Sequence, residues 1–192
     1  HVTQWSKGEY SYANNKQDDL TIIAGKLTAR VDDHSTGLDA TPVVAFSGVV
    51  DASSPVYEFY GPDSLHRDRN NRGVIGRTDT DAFVLDVVTA GTIDLSVTPD
   101  WRDVFTTATY RGANVDIRTR LQRADGVVLA DSDASLDTSA RVTANVVPGR
   151  YYLEVLGVGA GAPLNTGYSA YASIGQYSIS GTVPAGMPTQ TV

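Results

Sequence analysis

The chain contains no cysteine, only three lysines, and only three glutamates among its 22 acidic residues. The absence of cysteine excludes disulfides, zinc–thiolate sites and thiol catalysis, but it does not fix the compartment in which the protein works. No apolar run approaches the roughly 20 residues that a membrane-spanning helix needs. No signal peptide is recognisable, so an export signal of the parent protein is expected to lie outside this sequence. We expect no membrane partner.

The charge and composition that are present favour an acidic, turn-rich β protein. The formal net charge is −7 and the pI is near 4.8, which argues against a nucleic-acid partner. Aspartate and glycine, at 19 and 18 residues, are typical of turns, whereas glutamate, which favours helix interiors, is rare. A length of 192 residues suffices for one domain with an appendage, and we expect a monomer.

Hydrophobicity alternates with a period of two from about residue 40 onward, which predicts half-buried antiparallel strands. Asp125-Gly126 between two such runs is a strong hairpin signal. Many short strands at regular spacing predict an all-β fold, an antiparallel β-sandwich of jelly-roll-like type. The candidate strands are 43–50, 56–60, 82–88, 92–98, 114–123, 127–130, 140–146, 150–157 and 175–182.

One short N-terminal helix is the only helix that the sequence predicts. Asn14 and Asn15 are candidate N-caps, Asp18 and Asp19 suit the first turn, and Gly25 can end the helix. We divide the chain into a helical segment and linker from a preceding domain (1–30), the sandwich (31–183) and a tail (184–192).

The pair Asp79 and Asp81 directly precedes an alternating apolar run and shares its parity with Phe83. If the strand extends back to Asp79, two carboxylates lie at the rim of the core. A hard cation such as calcium would collect them, because calcium takes six to eight oxygen ligands. The alternative is that both are turn residues that cap backbone N–H groups.

The ordered motifs VIGRTDTDAFVLDV, NVDIRTRLQRADGVVLADSD, VPGRYYLEVLGVG and GYSAYASIGQYSISG resemble the bacterial pre-peptidase C-terminal domain over roughly residues 30–183. This family is related to the collagen-binding domains of clostridial collagenases. The resemblance implies a β-sandwich appended to a secreted hydrolase. It also implies a structural calcium ion, and the matching positions are Asp32, Asp33, Asp39, Asp79 and Asp81.

A second resemblance concerns residues 1–26. The run TQWSKGEYSYANNKQDDLTIIA is similar to the end of a metzincin-like zinc protease domain. No HExxH motif is present, and His1, His34 and His66 are far apart in sequence. On this interpretation the fragment starts after the catalytic residues, and the chain itself is not an enzyme.

A second polar set lies near the predicted hairpin. It comprises Asn114, Asp116, Asp131 and Asp133. Because Asp131 and Asp133 follow a strand and precede a loop, we interpret them as solvated turn acids rather than a second ion site. Four aromatic residues in irregular segments are candidate ligand-binding residues: Tyr60, Trp101, Tyr168 and Tyr171. Trp101 and Tyr168 could equally hold their own loops in place.

These observations predict a non-catalytic, calcium-stabilised accessory domain of a secreted hydrolase, with a metalloprotease as the expected parent. It would bind an extracellular protein or polysaccharide polymer, or assist secretion and folding. The alternatives are a carbohydrate-binding module of a glycan-degrading enzyme and a structural spacer. No nucleophile elbow, phosphate-binding loop or zinc motif is present.

Overall fold

The computed structural model describes residues 7–28, 32–51, 71–99, 115–134 and 137–186. Their regular elements are α1 (Asp19–Ala24), β1 (Thr41–Pro42), β2 (Val49–Val50), β3 (Arg72–Ile75), β4 (Thr80–Val87), β5 (Gly91–Pro99), β6 (Ile117–Arg123), β7 (Val128–Asp133), β8 (Ala140–Val146), β9 (Gly149–Gly157) and β10 (Gly175–Thr182), with 3-10 turns at Gly37–Asp39 and Ala170–Ala172. No helix in these ranges is long and apolar enough to cross a membrane.

Two five-stranded sheets are built from these strands. The first has the order β1-β4-β9-β6-β7, and the second has the order β2-β10-β5-β8 with β3 also paired to β10. The pairing of β1 with β4 is parallel, and the others are antiparallel. The predicted all-β sandwich with one short N-terminal helix is confirmed.

The core lies between the two sheets and follows the alternation of the sequence. In β5 the residues Ile93, Leu95 and Val97 are fully buried, while the residues between them are partly exposed. Strand β9 buries Leu153 and Val155 in the same way. Each such side chain contributes roughly 1.5–3 kcal/mol by leaving water, which is why the period-two pattern fixes the orientation of the strands.

The region predicted as one strand at 43–50 contains only β2, at its end, and β1 lies just before it in the other sheet. Strand β1 joins β4 and strand β2 joins β10, so the chain crosses from one sheet to the other between them. The side chain of Asn71 bonds both the N–H and the carbonyl of Val44, at 2.8 and 2.7 Å, and so satisfies the backbone in that crossing. The sequence prediction missed β3, and the candidate strand 56–60 lies outside the described residues.

Helix α1 starts later than the sequence suggested. Its N-cap is Asp18, whose Oδ1 accepts from the N–H of Thr21 at 2.8 Å, and not Asn14 or Asn15. Gly25 ends the helix as predicted. The cap is Asp18 because its carboxylate is also bound by the body of the sandwich, as described below.

The sandwich has two distinct ends. The start of β4, the start of β6 and the end of β9 meet at the first, which we call the acidic end because it carries Asp79, Asp81 and Asp116. The opposite end, which we call the turn end, carries the β4–β5, β6–β7 and β8–β9 turns. The chain past β10 also lies there, where the N–H of Val183 donates to the carbonyl of Gly48 at 2.9 Å.

Candidate metal centre

The turn between β3 and β4 positions the two carboxylates that the sequence singled out. Oδ2 of Asp79 accepts from the N–H of Gly76 at 2.9 Å and closes a turn in which Thr78 has a φ of 60°. Asp79 is therefore a backbone-capping residue, as the alternative interpretation held. Asp81 is different, since it caps no backbone group in the described part of the chain and lies inside the protein.

Asp81 is fully buried on the same face of β4 as Phe83, Leu85 and Val87. Its Oδ2 accepts a hydrogen bond from the phenol of Tyr177 at 2.5 Å, but its Oδ1 is buried without a hydrogen-bond partner. Burial, together with repulsion from the neighbouring Asp33, Asp79 and Asp32, raises the pKa of Asp81 to about 8 against the opposing effect of the Tyr177 bond. A buried carboxylate with one oxygen that has no partner is stabilised by a proton or by a cation bound at that oxygen.

Residues 32–40 lead into β1, and we call them the entry linker; their Asp32 brings a third carboxylate to this place. Asp32, Asp79 and Asp81 each offer an oxygen, and these oxygens lie within 4.8 Å of one another. Oδ1 of Asp32 also accepts from the N–H of His34 at 3.1 Å, which fixes the local turn of the linker. This group, which we call the three-aspartate group, joins two segments of the chain, since Asp32 is 47 residues before Asp79 in the sequence.

Asp33 and Asp39, the remaining predicted ligands, are placed differently. Oδ2 of Asp33 accepts from the N–H of Val74 at 3.1 Å, so this carboxylate fastens the linker to β3 and lies beside the group rather than in it. Asp39 is exposed in the 3-10 turn Gly37–Asp39 and does not join the three-aspartate group.

His34 also holds the entry linker in place, a role that the sequence did not predict. Its buried ring packs against the ring of Phe83, with the centroids 4.6 Å apart and the planes tilted by 44°. Its Nε2 lies 2.6 Å from the carbonyl of Arg72, which makes Nε2 the donor, and its Nδ1 lies 2.7 Å from Oγ1 of Thr41. The ring pins the linker to both sheets, and because its partners are distant in sequence, no local pattern indicates this role.

The predicted ligand-binding aromatics are engaged within the protein where the structure describes them. The phenol of Tyr168 donates to Oδ2 of Asp116 at 2.7 Å. Tyr171 is only 8% exposed, and Nζ of Lys7 and Cζ of Arg77 lie over its ring, at 4.8 and 5.3 Å from the centroid. Both rings hold loops in place in this arrangement. Tyr60 and Trp101 lie outside the described residues, so their predicted role stays a prediction.

The second polar set is divided in the structure: Asp131 and Asp133 are exposed, though within β7 rather than in a turn, whereas Asp116 is buried. Asp116 is 2% exposed rather than solvated. Asp131 forms ion pairs with Arg118 at 2.7 Å and with Arg120 at 3.3 Å on the outer face of the first sheet. Asp133 is exposed as expected, and Asn114 lies outside the described residues. Asp116 is buried because residues 158–168 fold over it, a contact between distant segments.

Comparison with known proteins gave one informative result. No family model matches the chain, and no curated protein matches it. Among solved structures the chain is similar to the pre-peptidase C-terminal domain of a collagenase from Bacillus anthracis. The identity is 22%, the match covers 57% of this chain and 83% of that one, and the TM-score is 0.39. That domain is of the kind that the ordered motifs resemble, and the fold assignment depends on the two sheets described above. The resemblance of residues 1–26 to a protease domain stays a prediction.

Proposed function

We propose that this chain is a non-catalytic accessory domain of a secreted hydrolase, stabilised by a calcium ion that Asp32, Asp79 and Asp81 bind. The single observation that carries the metal is the buried, partnerless Oδ1 of Asp81 beside two further carboxylates. Three carboxylates in one place repel each other, and calcium is a hard cation that takes oxygen ligands of this kind.

The location of the three-aspartate group gives the ion a structural purpose. Asp32 belongs to the linker that enters the sandwich, whereas Asp79 and Asp81 belong to the β3–β4 turn and β4. Calcium bound to all three would fasten the entering chain to the folded body, in addition to the bonds of Asp33 and His34. It would also neutralise the buried charge of Asp81, for which no basic partner is described.

Thermal unfolding with calcium and with EGTA tests this proposal. A ligand that binds only the native state at 100 times its Kd adds about 2.7 kcal/mol. For a domain of this size we therefore expect calcium to raise the Tm by roughly 5–10 °C. An unchanged Tm in the wild-type protein would remove calcium from the proposal.

Three variants sharpen the experiment. Asp79→Asn should lose most of the calcium effect. Asp81→Asn should lose it too, yet be at least as stable as wild type in EGTA, because the buried negative charge is gone. Asp39→Asn is the matched control, since Asp39 is an acidic residue of the same linker that lies outside the group, and its calcium response should equal that of wild type.

The accessory role concerns an extracellular polymer, a protein or a polysaccharide. The proposal is supported by the ordered motifs and by the absence of a recognisable catalytic motif in the sequence. Retention on insoluble collagen would support a protein polymer, and retention on chitin or cellulose would favour the carbohydrate-binding alternative. Trp101→Ala should weaken either retention without lowering the Tm. Retention on none of the three would favour a role in secretion, folding or spacing.

A further inference from the structure

Two carboxylate oxygens in the described ranges are buried without a hydrogen-bond partner. One is Oδ1 of Asp81, and the other is Oδ1 of Asp116. The surroundings of the two aspartates correspond. In each, Oδ2 accepts from a tyrosine phenol, Tyr177 at 2.5 Å or Tyr168 at 2.7 Å, and in each, Oδ1 has no partner. Burying a carboxylate oxygen without a hydrogen-bond partner costs free energy. Because the same arrangement occurs twice, we expect a ligand at Asp116 as well.

The backbone of Asp116 is held firmly in place. Its N–H donates to Oγ of Ser173 at 2.8 Å, and its carbonyl accepts from Oγ of Ser173 at 3.0 Å and from the N–H of Val158 at 2.8 Å. These bonds tie the start of β6 to the loop that follows β9. The carboxylate is therefore oriented by fixed partners, as a metal ligand usually is.

Two further carboxylates lie near Asp116. Asp116 shares its strand parity with Arg118, whose partner across the ladder is Asp133, so Asp116 and Asp133 are diagonal neighbours on the outer face of the first sheet. The N–H of Ile117 donates to the carbonyl of Thr138 at 3.0 Å, which brings Asp137 beside them. Burial first, and then repulsion from Asp133 and Asp137, raises the pKa of Asp116.

We propose that Asp116, Asp133 and Asp137 form a second binding site for a divalent calcium-like cation, independent of the three-aspartate group. Oδ1 of Asp116 would supply the buried ligand, and the two exposed carboxylates would close the site from the solvent side. Water and backbone carbonyls would complete the six to eight oxygens that calcium takes.

The nearby basic residue is Arg118, and its charge also acts on Asp133. Arg118 is committed to Asp131 through two hydrogen bonds, at 2.9 and 2.7 Å. Oδ1 of Asp137 accepts from the N–H of Ser139 at 3.0 Å, and Asp133 is exposed at its ladder position opposite Arg118. The three oxygens do not meet within the 4.8 Å that contains the first group. We therefore expect the second ion to bind more weakly than the first.

Isothermal titration with Ca²⁺, together with tyrosine-sensitised Tb³⁺ emission, tests the second site. Wild type should bind two ions per chain in two steps of different affinity. Asp116→Asn should lose only the weaker step, and Asp81→Asn should lose only the tighter one. Circular dichroism and thermal melts of each variant show whether it is folded. Asp125→Asn, an exposed acid at the turn end, is the control and should bind two ions.

Tyr168 orients Asp116, so a variant of Tyr168 gives a second test of the site through the affinity of the weaker step. Tyr168→Phe removes the phenol that orients Asp116, and loss of such an outer partner typically weakens metal affinity by about 10–100-fold. The weaker step should shift by that factor while the tighter step stays constant. Asp133→Asn and Asp137→Asn should each weaken the same step.

The proposal is overturned if folded Asp116→Asn binds as many ions as wild type with the same affinities. It is overturned equally if wild type binds one ion, lost in Asp81→Asn and kept in Asp116→Asn. If Asp81→Asn leaves both steps intact while Asp116→Asn removes one, the three-aspartate proposal fails and the second site stands. The two proposals therefore fail on separate observations.

Discussion

The phenol of Tyr171 donates to Oδ1 of Asp18 at 2.6 Å, joining two residues that are 153 positions apart in the sequence. The same phenol oxygen accepts from the N–H of Leu20 at 2.9 Å, so one tyrosine binds both the cap and the first turn of helix α1. Arg77 adds contacts at 3.4 Å to Asp18 and to Thr21. The N-terminal helical segment is therefore docked on the sandwich through polar contacts.

Tyr171→Phe should release the N-terminal segment while leaving the sandwich folded. The substitution keeps the ring and removes both hydrogen bonds of the phenol. Asp18 then loses its bond from the sandwich and keeps the bond from the N–H of Thr21 in its own helix. Hydrogen exchange of residues 7–28 should become faster by several-fold, and the Tm of the core should change little. Tyr12→Phe is the matched control, because Tyr12 is fully exposed. Equal exchange in the two variants would contradict this prediction.

Docking of the N-terminal segment should weaken in the acid range. The bond from Tyr171, with further bonds from Thr21, lowers the pKa of Asp18 from its usual 3.8 to about 2. A lowered pKa means that the contribution is fully present above about pH 4 and is lost as the pH falls through about 2. Hydrogen exchange of residues 7–28 measured between pH 5 and pH 2 should show release in that window. Asp18→Asn should show no such step.

Tyr177→Phe should destabilise the domain more strongly in EGTA than in calcium. Without the phenol, Asp81 loses its one described hydrogen bond, and an unsatisfied buried polar group costs about 1–3 kcal/mol. A bound ion would still compensate the carboxylate charge, so the loss in calcium should be smaller. Urea unfolding under both conditions measures the difference. A larger loss in calcium than in EGTA would mean that the phenol serves the bound ion instead.

Leu153→Ala should lower the free energy of unfolding by about 2–5 kcal/mol, because truncating a buried leucine leaves a cavity. Leu153 is fully buried on β9, which pairs with both β4 and β6 at the centre of the first sheet. Urea unfolding measures the change. Leu164→Ala, at a residue that is 67% exposed, should change it by less than about 0.5 kcal/mol. Similar losses in the two variants would place Leu153 outside the main core.

The sequence predicts the long strands well because each has one face toward the solvent and one toward the core, which makes its residues alternate between polar and apolar. Strands β5, β8, β9 and β10 lie within about a residue of their predicted ranges, and the Asp125-Gly126 hairpin forms with Gly126 at a φ of 84°. Strand β3 was missed because four residues are too few to show a period. The region 43–50 was misjudged because its apolar residues serve two sheets in turn.

In the candidate site, too, strand parity predicts the orientation of some residues, whereas the contacts of others are not predictable from local sequence. Parity predicts that Asp81 faces the core, since it shares that face with Phe83. Parity also predicts that Asp116 faces outward with Arg118, and that is where it lies, yet it is buried because Tyr168 and its loop cover it. The roles of His34 and Tyr171 depend on contacts across tens to hundreds of residues. Contacts between residues so far apart leave no local pattern in a single sequence.

The positions at which the chain enters and leaves the sandwich have a mechanical consequence. The linker enters at the acidic end, and residues 183–186 leave at the turn end, so eight- and nine-residue strands separate the two points. At roughly 3.3 Å per residue this is about 26–30 Å. A force pulling on both termini would act along the strands and shear many ladder hydrogen bonds at once, rather than opening them one by one.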